Sequence, residues 1–128
     1  MTRRRVLVVE DNLLNMELVS DLLEAAGYEV LQAGTGEQAI EIARAEGPDV
    51  VLMDIDLPGM NGLEAAKVLK ADDRTRDIPV AALTAFAMSG DEQRAKEAGC
   101  VGYLTKPIDT RRFADQVSEL LQKKEAAP

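Results

Sequence analysis

Five apolar runs of strand length recur along the chain, and a helical period fills each interval between them. The runs cover residues 6–9, 28–33, 50–53, 80–83 and 101–104. They lack polar alternation, so each is expected to be buried on both faces, as in a parallel sheet covered by helices on both sides. Strands alternating with helices through right-handed crossovers make this an α/β, doubly wound fold of five βα units. At 128 residues there is room for one such domain and not for two.

The helical intervals carry their own punctuation. Residues 12–26 place Val19, Leu22, Leu23 and Ala26 on one face and stop at Gly27. Thr35 and Gln38 are spaced as a capping box ahead of Ala39, Ile40 and Ala43, and Gly47-Pro48 ends that helix. Asn61 with Glu64 caps a third helix whose inner face is Ala65, Ala66 and Leu69. Ser89 with Glu92 starts a fourth, and Asp109 a fifth with the stripe Phe113, Val117, Leu120 and Leu121. The fourth is unusual: residues 91–98 contain no large aliphatic side chain, so hydrophobic burial anchors it weakly and it is a candidate moving part.

Composition narrows the chemistry. The chain has no histidine, which removes imidazole bases, HExxH zinc sites and histidine phosphate carriers. Cys100 is the single cysteine, so disulfides and thiolate zinc sites are out; a small buried thiol in a reducing cytoplasm is the expectation. A net charge of -8 with only two Tyr, two Phe and no Trp argues against a nucleic-acid groove and direct DNA binding. The basic residues 3–5 precede an apolar run that Glu10, Asp11 and Asn12 cut short, so neither a signal peptide nor a membrane span is expected.

In sheets of this kind ligands bind beyond the carboxyl ends of the strands, where the strand order reverses. Those ends carry Glu10, Asp11 and Asn12 after the first run, Asp54 after the third, Thr84 after the fourth and Lys106-Pro107 after the fifth. Glu10, Asp11 and Asp54 would repel one another without a compensating cation. An all-oxygen donor set favours a hard ion, magnesium or manganese in its place, with a position left for phosphate. Lys106 offers a compact positive charge for a phosphoryl oxygen, and the Thr84 hydroxyl a donor for another. With a carboxylate among these groups, attack by Asp54 to form an aspartyl phosphate becomes available.

These stretches, VLVVEDN (6–12), VLMDIDLPGMNG (51–62), VAALTAFA (80–87) and GYLTKPI (102–108), resemble the receiver domain of two-component response regulators over nearly the whole chain. The resemblance implies a flavodoxin-like strand order 2-1-3-4-5 and Asp54 as phosphoacceptor. It further implies Asp11, Asp54 and the main-chain carbonyl of Asp56 as magnesium ligands, with Glu10 acting through water. Thr84 matches the family's switch hydroxyl, Lys106 its lysine and Tyr103 its switch aromatic, and a cis bond is implied between Lys106 and Pro107. The phosphoryl group is expected from a phosphohistidine on a histidine kinase or histidine phosphotransfer protein. Reorientation of Thr84 would let Tyr103 turn inward and bias the face of the fourth helix, fifth strand and fifth helix toward a downstream protein. At Asp56 the side chain leaves two effects open: repelling an attacking hydroxide, which prolongs the phosphorylated state, or orienting water, which shortens it.

Other readings fit less well. Residues 34–39 match GxGxxA, but after the second strand, where the Thr35 capping box accounts for the spacing. Asp54-Ile55-Asp56 resembles the DxDxT start of haloacid-dehalogenase phosphatases, yet Pro58 replaces the threonine and the acidic pair Glu10-Asp11 lies upstream. A pseudo-receiver is disfavoured because Asp11, Asp54, Thr84 and Lys106 are all in place. The expectation is a single receiver domain over 1–128, with a core of about 5–123 and a short tail at 124–128. A stand-alone cytoplasmic regulator is favoured; a receiver cut from a longer regulator or hybrid histidine kinase is the alternative.

Overall fold

The computed structural model describes residues 4–57, 59–84, 91–105 and 109–126. Its elements alternate as β1 (Arg5–Val9), α1 (Leu13–Ala25), β2 (Glu29–Ala33), α2 (Gly36–Glu46), β3 (Val50–Asp54), α3 (Gly62–Ala71), β4 (Val80–Thr84), α4 (Asp91–Glu97), β5 (Gly102–Thr105) and α5 (Phe113–Ala126). All strand pairs are parallel and their order is β2-β1-β3-β4-β5, as the resemblance implied.

The pleat divides the apolar runs between two cores, because successive side chains point to opposite faces. Leu7, Val9, Val51, Met53, Val80 and Ala82 meet α2, α3 and α4 on one face. Val6, Val8, Val50, Leu52, Ala81 and Leu83 meet Met16, Val19 and Leu23 of α1 and Phe113, Val117, Leu120 and Leu121 of α5 on the other. The fifth-helix stripe is therefore fully accounted for, and the small Ala95 and Ala98 are what α4 and its C-terminal end bury.

Several boundaries move by a residue. The last strand starts at Gly102 rather than residue 101, leaving Val101 exposed. Ala26, expected on the inner face of the first helix, is instead its exposed C-cap, its amide reaching back to the carbonyls of Leu22 and Leu23. Thr35 caps α2 by accepting from the amide of Gln38 at 3.1 Å, but Gln38 Oε1 returns to the amide of Gly34, one residue earlier than a capping box requires. Gly47 closes the same helix in the left-handed conformation, φ 56°, a geometry that costs glycine little. Ser89, proposed to start the fourth helix, lies outside the described residues.

The connection from α3 to β4 is held by polar contacts. Thr75, fully buried, donates to the carbonyl of Leu69 at 2.6 Å. Lys70 Nζ donates to the carbonyls of Arg76 and Ile78. Asp72 accepts from Arg44 Nε of α2 at 2.6 Å and from the amide of Arg74 at 2.9 Å.

Candidate functional site

The strand order reverses between β1 and β3: the chain leaves β1 outward to β2, then crosses back to β3 on the other side. A crevice opens at such a switch point beyond the carboxyl ends of the strands. The residues delivered there are Glu10 and Asp11 from β1 and Asp54, the last residue of β3. Their carboxylate oxygens lie within 4.8 Å of one another, so the cluster expected from the sequence assembles. Glu10 and Asp54 are buried at 3% and 2% exposure, whereas Asp11 faces solvent.

Local hydrogen bonds aim these groups. Glu10 Oε1 accepts from the amide of Asn12 at 3.2 Å, and the Glu10 amide donates to the carbonyl of Ala33 at 3.0 Å. Asn12 caps α1 by accepting from the amide of Asn15, so the acidic loop runs directly into a helix. Asp54 Oδ1 accepts from the amide of Asp56 at 2.9 Å, an Asx turn that fixes the carboxyl as the chain leaves the strand. Asn61 caps α3 at 2.9 Å to the Glu64 amide, and its side-chain amide donates to the Glu64 carboxylate. Gly62 then packs its α-carbon against the backbone of Asp54 and Ile55, where a side chain has no room.

Thr84 ends β4 fully buried, beside the Asp54 strand, and its Oγ1 donates to Asp56 Oδ2 at 3.4 Å. That contact involves a side chain which sequence reasoning had treated mainly as the owner of a backbone carbonyl. No spacing rule finds it, because it depends on how the turn after β3 folds toward β4. Tyr103, on β5, is half-buried and packs against the core shared with Ala95, Ala98 and Cys100. Lys106 and Pro107, with their implied cis bond, lie outside the described residues. Cys100 is buried as expected; burial pushes its thiol up to about 11, partly offset by nearby Lys70, so it is protonated at neutral pH.

Sequence reasoning also passed over Leu13 and Leu14, the first residues of α1. They stand 82% and 76% exposed, immediately after the acidic loop, while the helix buries Met16, Val19 and Leu23. For Leu14 the available signal was phase: two positions before Met16, it falls nearly opposite the buried face of the helix.

An all-oxygen cluster of two buried carboxylates and one exposed suits a hard divalent cation, since each charge would otherwise repel the others. Among solved structures, a response regulator from Chloroflexus aurantiacus matches with a TM-score of 0.90 at 30% identity, covering 94% of this chain and 99% of that one. The receiver domain of a sensor histidine kinase from Pseudomonas aeruginosa, solved with magnesium coordinated in its active-site cleft, matches with a TM-score of 0.84 at 32% identity, covering 98% of this chain and 100% of that one. The polar-differentiation response regulator DivK of Brucella anthropi is 50% identical over 118 residues, 92% of this chain and 96% of its own. Residues 6–118 match the family model of the response regulator receiver domain. The chain therefore belongs to the response regulator receiver domain family of two-component signalling, and it is not a conventional enzyme.

Proposed function

We propose that Asp54 is the phosphoacceptor of this receiver and that the chain takes its phosphoryl group from a phosphohistidine on a histidine kinase or histidine phosphotransfer protein. The observation that carries this reading is the convergence of Glu10, Asp11 and Asp54 at the switch point of the sheet, with buried Thr84 alongside. Asp11, Asp54 and the carbonyl of Asp56 would hold magnesium, with Glu10 acting through water; when bound, the ion offsets the negative charge of the carboxylates and of the incoming phosphoryl group.

In the transfer, a carboxylate oxygen of Asp54 attacks phosphorus, the new O–P bond forms as the donor's N–P bond breaks, and the electron pair stays on the donor imidazole, which takes up a proton. The Asp56 amide restrains the Asp54 carboxyl during attack. Thr84 donates its hydroxyl to a phosphoryl oxygen, and Lys106 pairs with another. Water later attacks phosphorus, the bond from phosphorus to the Asp54 oxygen breaks, and inorganic phosphate leaves as the Asp54 carboxylate is restored.

The signal leaves through the face formed by α4, β5 and α5. Support comes from the packing of α4, which rests on small alanines, and from a cleft of about 340 Å³ between α4 and β5 lined by Ala95, Lys96, Cys100 and Tyr103. Tyr103 can move there as Thr84 turns toward the phosphoryl group. On the input side, exposed Leu13 and Leu14 give a protein donor an apolar surface beside the acidic loop. No described helix is long and apolar enough to cross a membrane.

Incubation with magnesium and phosphoramidate tests the reading. Intact mass should register one phosphoryl adduct, stable in acid and labile in base; absence of the adduct, or its persistence in Asp54→Asn, contradicts it.

A further inference from the structure

Asp56 touches two of the groups that the phosphoryl reading requires, and does so with two different atoms. Its amide donates to Asp54 Oδ1 at 2.9 Å, and its carboxylate Oδ2 accepts from Thr84 Oγ1 at 3.4 Å. Asp54 and Thr84 are buried, while Asp56 is exposed at the mouth of the site.

We propose that Asp56 is a positioning residue whose carboxylate holds the Thr84 hydroxyl before the phosphoryl group arrives, competes with that group for the hydroxyl, and so sets the affinity of the site for a phosphoryl ligand. This rests on the roles given above to Asp54 and Thr84.

A hydroxyl has one proton to donate, so Thr84 cannot satisfy Asp56 and a phosphoryl oxygen with it at once. A phosphoryl group brings three strong acceptor oxygens and added negative charge. The first takes the proton from Asp56, and the second repels the Asp56 carboxylate outward. At 3.4 Å the existing bond is long, and an exposed carboxylate regains its hydration on release, so the exchange is easy and its effect is a few-fold. Competition requires the Thr84 hydroxyl; charge repulsion does not. That difference separates the proposal from a general effect of one more negative charge.

The test is a double-mutant cycle on the full chain with Asp56→Ala, Thr84→Val and the pair together. Calorimetry at saturating magnesium measures Kd for beryllofluoride, a tetrahedral mimic of the phosphoryl group. Asp56→Ala alone should tighten binding about threefold, while the same change in the Thr84→Val background should alter Kd by less than roughly twofold. Equal tightening in both backgrounds would leave charge repulsion as the whole effect and overturn the proposal, as would no tightening in the presence of Thr84. If the unaltered chain bound no beryllofluoride at all, the phosphoryl reading itself would fall, and the proposal with it.

Discussion

A methyl group placed on Gly62 would collide with the carbonyl oxygen of Asp54 and stand 2.7 Å from Cα of Ile55. The first turn of α3 thus lies against the backbone that presents Asp54, the proposed phosphoacceptor. Gly62→Ala should force the two apart, destabilising the fold by about 1–3 kcal/mol as overpacking does. Phosphorylation by phosphoramidate should slow by at least about tenfold in the fraction that remains folded. Urea unfolding and intact-mass time courses check the two effects separately.

Asp54→Asn should stabilise the protein when no metal is added. Removing one of three carboxylates packed within 4.8 Å relieves repulsion of about 1 kcal/mol, a rise in Tm of roughly 4 °C. Magnesium at ten times its Kd should stabilise the unaltered protein by about 1.4 kcal/mol and the variant far less. Thermal melts with and without magnesium provide the comparison.

Leu14→Asp should separate donor docking from chemistry. The side chain is exposed and belongs to neither core, so stability should change by less than about 0.5 kcal/mol. Transfer from a phosphorylated histidine kinase should slow by about tenfold or more, with the phosphoramidate reaction unchanged. Equal slowing of both reactions would remove α1 from the docking surface.

Asp72 ties the α3–β4 connection to α2, and the Arg74 amide, then Arg44, hold its carboxyl down at about 2, against 3.8 ordinarily. A carboxyl lowered by folding contributes stability above its unfolded value and loses it as pH falls toward its folded value. Asp72→Asn should therefore be less stable than the unaltered protein at pH 7, with the difference shrinking between about pH 4 and pH 2. Urea unfolding across that range follows the difference directly.

The fold was largely legible because its apolar runs are short and continuous and the helices between them start at caps that the structure retains at Thr35 and Asn61. Periodicity alone could not order the strands, since it reports burial and not neighbours; the order 2-1-3-4-5 came from the resemblance. Where boundaries slipped, local bonding decided: Ala26 became a cap once its amide turned back to Leu22 and Leu23. The acidic cluster was legible because consecutive strand ends in a parallel sheet must emerge on one side. The Asp56–Thr84 contact was not, because it joins residues 28 positions apart through a turn whose path no local rule specifies. Leu13 and Leu14 were passed over because the expected inner face began at Val19 and left the first turn of the helix unassigned.

On the proposed mechanism Asp54 carries the phosphoryl group. Phosphorylation with phosphoramidate and magnesium, reduction with borohydride and peptide mass spectrometry test it most directly, because the acyl phosphate is converted to a stable alcohol at the modified residue. Homoserine at position 54, dependent on both magnesium and phosphodonor, is the predicted result. Reduction at Asp11 or Asp56 instead, or an adduct on any residue that borohydride leaves intact, would contradict it.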